Sequence, residues 1–152
     1  MRTAPAMAFA AVALLMTAGR ASAQWPGEGD GEGAAESGRV RAELNKVEDI
    51  DGACRSFFLF RNHTPVTLTG FEMSLAILDT DGVIDRLLTI DAAPLPAGRT
   101  TLKLFDIPDV ACADIGKIIL HDMGACQGDD GTTRDCFALL DVSSRASIAF
   151  GL

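Results

Sequence analysis

All four cysteines of this 152-residue chain, Cys54, Cys112, Cys126 and Cys136, follow an N-terminal segment with the form of an export signal. An even number of thiols carried into an oxidising compartment predicts two disulfides, and cross-links restrict what a short chain can fold into more than any average property does. No two of the cysteines have the close spacing of a structural zinc site, and there is no CxxC redox motif. Four cysteines allow three pairings, so the choice among them needs the strand order.

The segment itself is compact. Arg2 supplies a short positive start, Ala4 to Met16 form an apolar run of 13 residues, and Ala21-Ser22-Ala23 makes a small-x-small cleavage site, which predicts a cleaved signal over residues 1–23. The run is shorter than the roughly 20 residues that cross a bilayer, so no membrane span is expected after cleavage. A single Arg in the short n-region favours general secretion over the twin-arginine route. Removing residues 1–23 takes away Arg2 and Arg20 and no acid, which leaves 11 basic against 21 acidic side chains and a net charge of −10. That balance argues against nucleic acid and anionic lipid as partners, because both are bound by clustered Lys and Arg.

Residues 24–38 (QWPGEGDGEGAAESG) are too rich in glycine and acid to bury a core and are expected to form a flexible tether. Residues 39–152 read as short strands between turns. Val40, Ala42 and Leu44 alternate with polar positions up to the turn Asp49-Ile50-Asp51-Gly52. Cys54 to Phe60 is apolar on both faces, which suits a central strand. Val66 to Leu78 alternates but loses parity at Gly70, which predicts a bulge there. Further strands are expected at Val83–Ile90, Arg99–Ile107, Ile115–Asp122, Phe137–Val142 and Ser147–Leu152, with at most one helical turn in Pro108–Asp114. The sum is an all-β, immunoglobulin-like antiparallel β-sandwich of seven to eight strands.

This order selects the disulfides. In such a sandwich the second and sixth strands run the same way in facing sheets, and Cys54 and Cys112 stand at their starts, so Cys54 pairs with Cys112. Cys126 and Cys136 flank a polar loop and close it.

Motifs for catalysis are missing: the chain has no G-x-S-x-G elbow, no H-E-x-x-H and no cysteine left free as a nucleophile, so an enzyme is not expected. Asp79, Asp81 and Asp85 resemble the middle of a calcium loop, but Ile77 and Leu88 occupy its first and last ligand positions, and a plain hairpin turn is expected instead. His63, Met73, His121 and Met123 form a His and Met set of the kind that holds copper in exported sandwich carriers, with His121 and Met123 expected on one face of a strand. A core role for Met73 is the competing expectation, since it shares parity with Phe71, Leu75 and Ile77.

From Val47 to Cys126 the chain resembles small exported proteins of alphaproteobacteria that carry no assigned activity. The resemblance is carried by Cys54 with Phe57-Phe58, Asn62-x-Thr64, Asp79-x-Asp81-Gly82-Val83, Leu95-Pro96-Ala97-Gly98, Phe105-Asp106-Ile107-Pro108, Cys112-x-Asp114-Ile115-Gly116 and Cys126. It implies a β-sandwich and names no substrate. Many such proteins carry a twin-arginine signal, from which this chain departs.

The expected function is therefore a non-catalytic binding or assembly module, periplasmic or secreted, with a protein partner and no cofactor. The alternative is a periplasmic copper-binding or copper-carrier protein using His63, Met73, His121 and Met123.

Overall fold

The computed structural model describes residues 38–152, so the expected signal and the expected tether up to residue 37 lie outside the described residues. In chain order the strands are β1 (Val40–Ile50), β2 (Ala53–Asn62), β3 (Leu68–Asp79), β4 (Ile84–Asp91), β5 (Thr100–Pro108), β6 (Ile115–Gly128), β7 (Leu140–Ser144) and β8 (Ala149–Gly151). They form two four-stranded sheets, the first in the order β5-β2-β1-β7 and the second in the order β4-β3-β6-β8. The all-β expectation and both disulfides, Cys54–Cys112 and Cys126–Cys136, are met.

Alternation places the core between the sheets. Val40, Ala42 and Leu44 of β1 and Cys54, Phe58 and Phe60 of β2 turn inward from the first sheet, against Phe71, Met73, Leu75 and Ile77 of β3 and Ile118 and Leu120 of β6. Phe58 is the centre of this packing. Its ring lies 5.9 Å from that of Phe60, 6.0 Å from Phe105 and 5.4 Å from Phe150, the last two edge to face, and Phe60 in turn meets Phe71.

The turns follow their residues. Asp51 (φ 42°) and Gly52 (φ 80°) form a two-residue hairpin loop closed by the Ile50 to Ala53 pair, the Asp-Gly sequence and paired positive φ that a tight hairpin requires. Asn62 ends β2 with its amide fully used: Nδ2 donates to the carbonyls of Val66 and Leu95, while Oδ1 accepts from the Thr64 N–H and hydroxyl. The register of β3 against β6 slips between Leu68 and Gly70, which is the bulge the parity break predicts.

Three expectations need correction. The sandwich is not antiparallel throughout, because β7 runs parallel to β1 and β8 parallel to β6. Both strands follow connections that are not tight hairpins, and such a strand is free to run parallel to its neighbour. The strand expected over Phe137–Val142 begins as a helical turn, α1 (Cys136–Leu139), because the Asp135 carboxylate accepts the N–H of Ala138 and caps it. The strand expected to end at Asp122 continues to Gly128, carried past Asp122 by bulges.

Cys54 is the second residue of β2, and Cys112 sits in a single 3-10 turn (Cys112–Asp114) that leads into β6. The bridge therefore brings the starts of both strands to one end of the sandwich. Two disulfides are the mark of an oxidising, extracytoplasmic setting. No helix among the described residues is long and apolar enough to cross a membrane.

Candidate functional site

The outer face of the first sheet carries the feature that most needs explanation. Residues of β2 with odd numbers point away from the core, and the register with β5 sets Phe57 opposite Leu104 and Leu59 opposite Leu102. An outer sheet face is ordinarily polar. Here four apolar side chains form one patch, with Leu102 53 % and Leu104 46 % exposed. Charge frames it on both sides. Arg55 holds Asp106, its direct cross-strand partner, in a two-pronged ion pair of 2.7 and 2.9 Å, and those hydrogen bonds keep the Asp106 carboxyl below its ordinary pKa. On the β1 side Lys46 lies over the Phe57 ring, 4.9 Å from its centre.

Next to Leu59 in register stands Glu43, outward-facing on β1 yet 4 % exposed. Burial by itself raises a carboxyl pKa. Hydrogen bonds from Asn45 (2.8 Å), Arg61 (3.3 Å) and Arg145 (3.3 Å) outweigh that effect and hold Glu43 below its ordinary value, so it is a charged, fully engaged carboxylate. It anchors the wall of the patch, with both oxygens hydrogen-bonded to neighbouring side chains.

The patch ends at an open sheet edge. Among the described residues no strand pairs with the far side of β5. The Asn62 N–H donates to the Arg99 carbonyl at 3.0 Å, and the register from there to Pro108 is unbroken. Alternate residues of a strand send their backbone groups to opposite sides, so the N–H and C=O of Thr100, Leu102, Leu104 and Asp106 face away from β2. These are the same residues whose side chains lie on the outer face. The intervening Lys103 turns inward, and its Nζ donates to the Ala93 carbonyl at 2.9 Å. Edge β4 of the second sheet interleaves charge with its apolar residues: Ile84 and Leu87, opposite Leu78 and Ala76, are 62 % and 61 % exposed, with Asp85 at the register shift between them and Asp91 at the strand's end.

At the disulfide end an open cleft of about 520 Å³ is lined by Asp49 to Ala53, Asp109 to Ala111 and Asp114. Its acids are partly committed to structure, since the Asp49 carboxylate accepts the Cys112 N–H at 2.7 Å and fixes the 3-10 turn.

The residues expected to bind copper fall as follows. Met73 is fully buried in the core of the second sheet and pairs in register with Met123. His121 sits at a bulge, where Ser74 pairs with Asp122 and Leu75 with Leu120, so the two residues do not share a face: Met123 packs against the core and His121 is exposed. His63 follows β2 in the first sheet, with its backbone bonded to Gly38 and Arg39. Among the described residues no group of three or more His, Cys, Asp or Glu is placed to hold a metal ion. In the turn after β3, the Asp79 carboxylate accepts the N–H groups of Asp81 and Val83, as a hairpin requires. Asp85 pairs with its neighbour Arg86.

Sequence patterns did not single out Phe57, Leu59, Leu102 and Leu104 as a surface. The usable signal was the strand Cys54 to Phe60, apolar on both faces, because one of those faces has no second sheet to cover it. Compared with known proteins, the chain matches no family model, no curated protein and no solved structure, so its site is interpreted from its own residues.

Proposed function

We propose that the protein is a periplasmic, non-catalytic binding or assembly module that takes up a strand of a partner protein along β5. The observation that carries this is the open β5 edge with Leu102 and Leu104 exposed beside Phe57 and Leu59. Strand addition draws affinity from main-chain hydrogen bonds and specificity from alternate side chains, and β5 offers both on one element. An apolar patch on an otherwise acidic domain also marks an interaction surface. The export signal supports the periplasmic setting, and the paired disulfides agree with it. The two-sheet arrangement, with a bridge joining the starts of β2 and β6, supports the immunoglobulin-like class.

The test is site-specific photo-crosslinking in cells that export the protein. A photoreactive residue at Leu104 is expected to give a discrete adduct that disappears with Leu102→Lys, while the same group at Leu87 on edge β4 gives none. Absence of an adduct at Leu104, or equal adducts from both edges, would overturn the proposal.

A further inference from the structure

Building on the β5 docking proposal, we infer that the edge is built for a foreign extended segment and against a second copy of this chain, with Lys103 as the residue that decides. The outer-face pattern of β5, Thr100, Leu102, Leu104 and Asp106, is close to symmetric about Lys103. Two copies pairing antiparallel across a two-fold axis would therefore bring Leu102 of each onto Leu104 of the other, the best apolar match available. That register sets Lys103 directly against Lys103.

Because the backbone groups of Leu102 and Leu104 point out of the edge, the Lys103 pair would be the closely spaced kind without hydrogen bonds, with Cα atoms about 4.5 Å apart. Like charges directly opposed in a sheet are destabilising. An inward-turned charge is also a recurrent device against edge-to-edge association. Sliding the register by two residues in one direction sets Leu102 against Asp106, and in the other sets Leu104 against Thr100, so each slip gives up an apolar contact. The net charge of −10 on each mature chain adds long-range repulsion between copies.

A segment of another polypeptide meets none of these obstacles. Its required chemistry follows from the edge: two apolar residues at alternate positions over Leu102 and Leu104, and a neutral or acidic residue between them opposite Lys103. The ammonium of Lys103, held toward the inner side by Ala93, then lies beside a compatible side chain.

Selection of displayed random nine-residue peptides on residues 24–152 tests this. The expected result is enrichment of an apolar-x-apolar motif with Lys and Arg depleted at x by tenfold or more. Leu104→Lys, at an exposed position, is expected to cut recovery at least tenfold while leaving the circular dichroism spectrum unchanged, and Leu102→Glu serves as the second variant. Lys103→Glu is expected to reverse the preference at x toward Lys and Arg. Peptides that bind Leu104→Lys as well as the parent would overturn the β5 docking reading itself. Peptides that depend on Leu104 yet show no preference at x, and do not respond to Lys103→Glu, would overturn only the partner chemistry. Lack of any enrichment would overturn both. Sedimentation showing a dimer of the parent that Leu104→Lys returns to monomer would make a second copy the occupant and end the inference.

Discussion

Replacing Cys54 and Cys112 together by alanine is expected to lower the stability of the domain by about 4 kcal/mol. The bridge spans 58 positions of sequence, and loop-closure entropy assigns a cross-link of that length about 4 kcal/mol. The Cys126–Cys136 bridge spans 10 positions, for which the same relation gives about 3 kcal/mol. The long bridge also ties β2 in one sheet to the approach of β6 in the other, so its loss acts on the whole sandwich and not on a single loop. A domain of this size has a net stability of roughly 5–15 kcal/mol, so a loss of that order leaves little in reserve. Denaturant unfolding of the two double-alanine variants is the check. The larger loss belongs to Cys54→Ala with Cys112→Ala, and the reverse order would contradict the loop-closure account.

Phe58→Ala is expected to cost about 4 kcal/mol, in the range for removing a buried phenylalanine ring. The loss combines burial, the cavity left between the sheets and the ring contacts with Phe60, Phe105 and Phe150. Its neighbour Phe57 provides the control. Phe57 has the same side chain one position earlier on the same strand, faces outward and is half-buried, so Phe57→Ala is expected to cost no more than about 1.5 kcal/mol. Thermal and denaturant unfolding of the pair checks the inward and outward assignment of β2. Equal losses would place both rings in the core and remove the outer-face patch.

Much of the fold was legible where local chemistry decides it. Asp51-Gly52 announces a tight hairpin because few other residue pairs accept two positive φ values. The parity break at Gly70 announces a bulge because a strand has a strict period of two. Both disulfides were legible because an even number of cysteines behind an expected export signal points to oxidation and the expected strand order points to proximity. The parallel strands β7 and β8 were not, since strand direction there depends on connections between sheets and leaves no local pattern. The length of β6 was hidden by the bulge at His121, which turns both Leu120 and Met123 toward the core and interrupts the alternation.

The candidate site was harder to read for a related reason. In Thr100 to Pro108 the leucines alternate with Thr101, Lys103, Phe105 and Ile107, and local hydrophobicity does not say which set is buried. Packing decides: Phe105 contacts Phe58 and Ile107 is 1 % exposed, so the leucines turn outward and Lys103 turns inward. An open edge is made of backbone groups, which carry no side-chain signature at all. The shared face expected for His121 and Met123 was misread for the opposite reason, since the His-x-Met spacing was visible in sequence while the bulge at His121 was not.

Amide hydrogen exchange along β5, measured by NMR on residues 24–152, tests the central claim most directly. An open edge predicts alternation: the N–H groups of Lys103 and Phe105, which bond to β2, are protected, while those of Leu102 and Leu104 exchange with little protection. A peptide selected on this edge is then expected to slow exchange at Leu102 and Leu104 by at least tenfold. Protection of Leu102 and Leu104 in the unbound chain, equal to that of Lys103 and Phe105, would mean that the edge is already covered and would contradict the proposed docking surface.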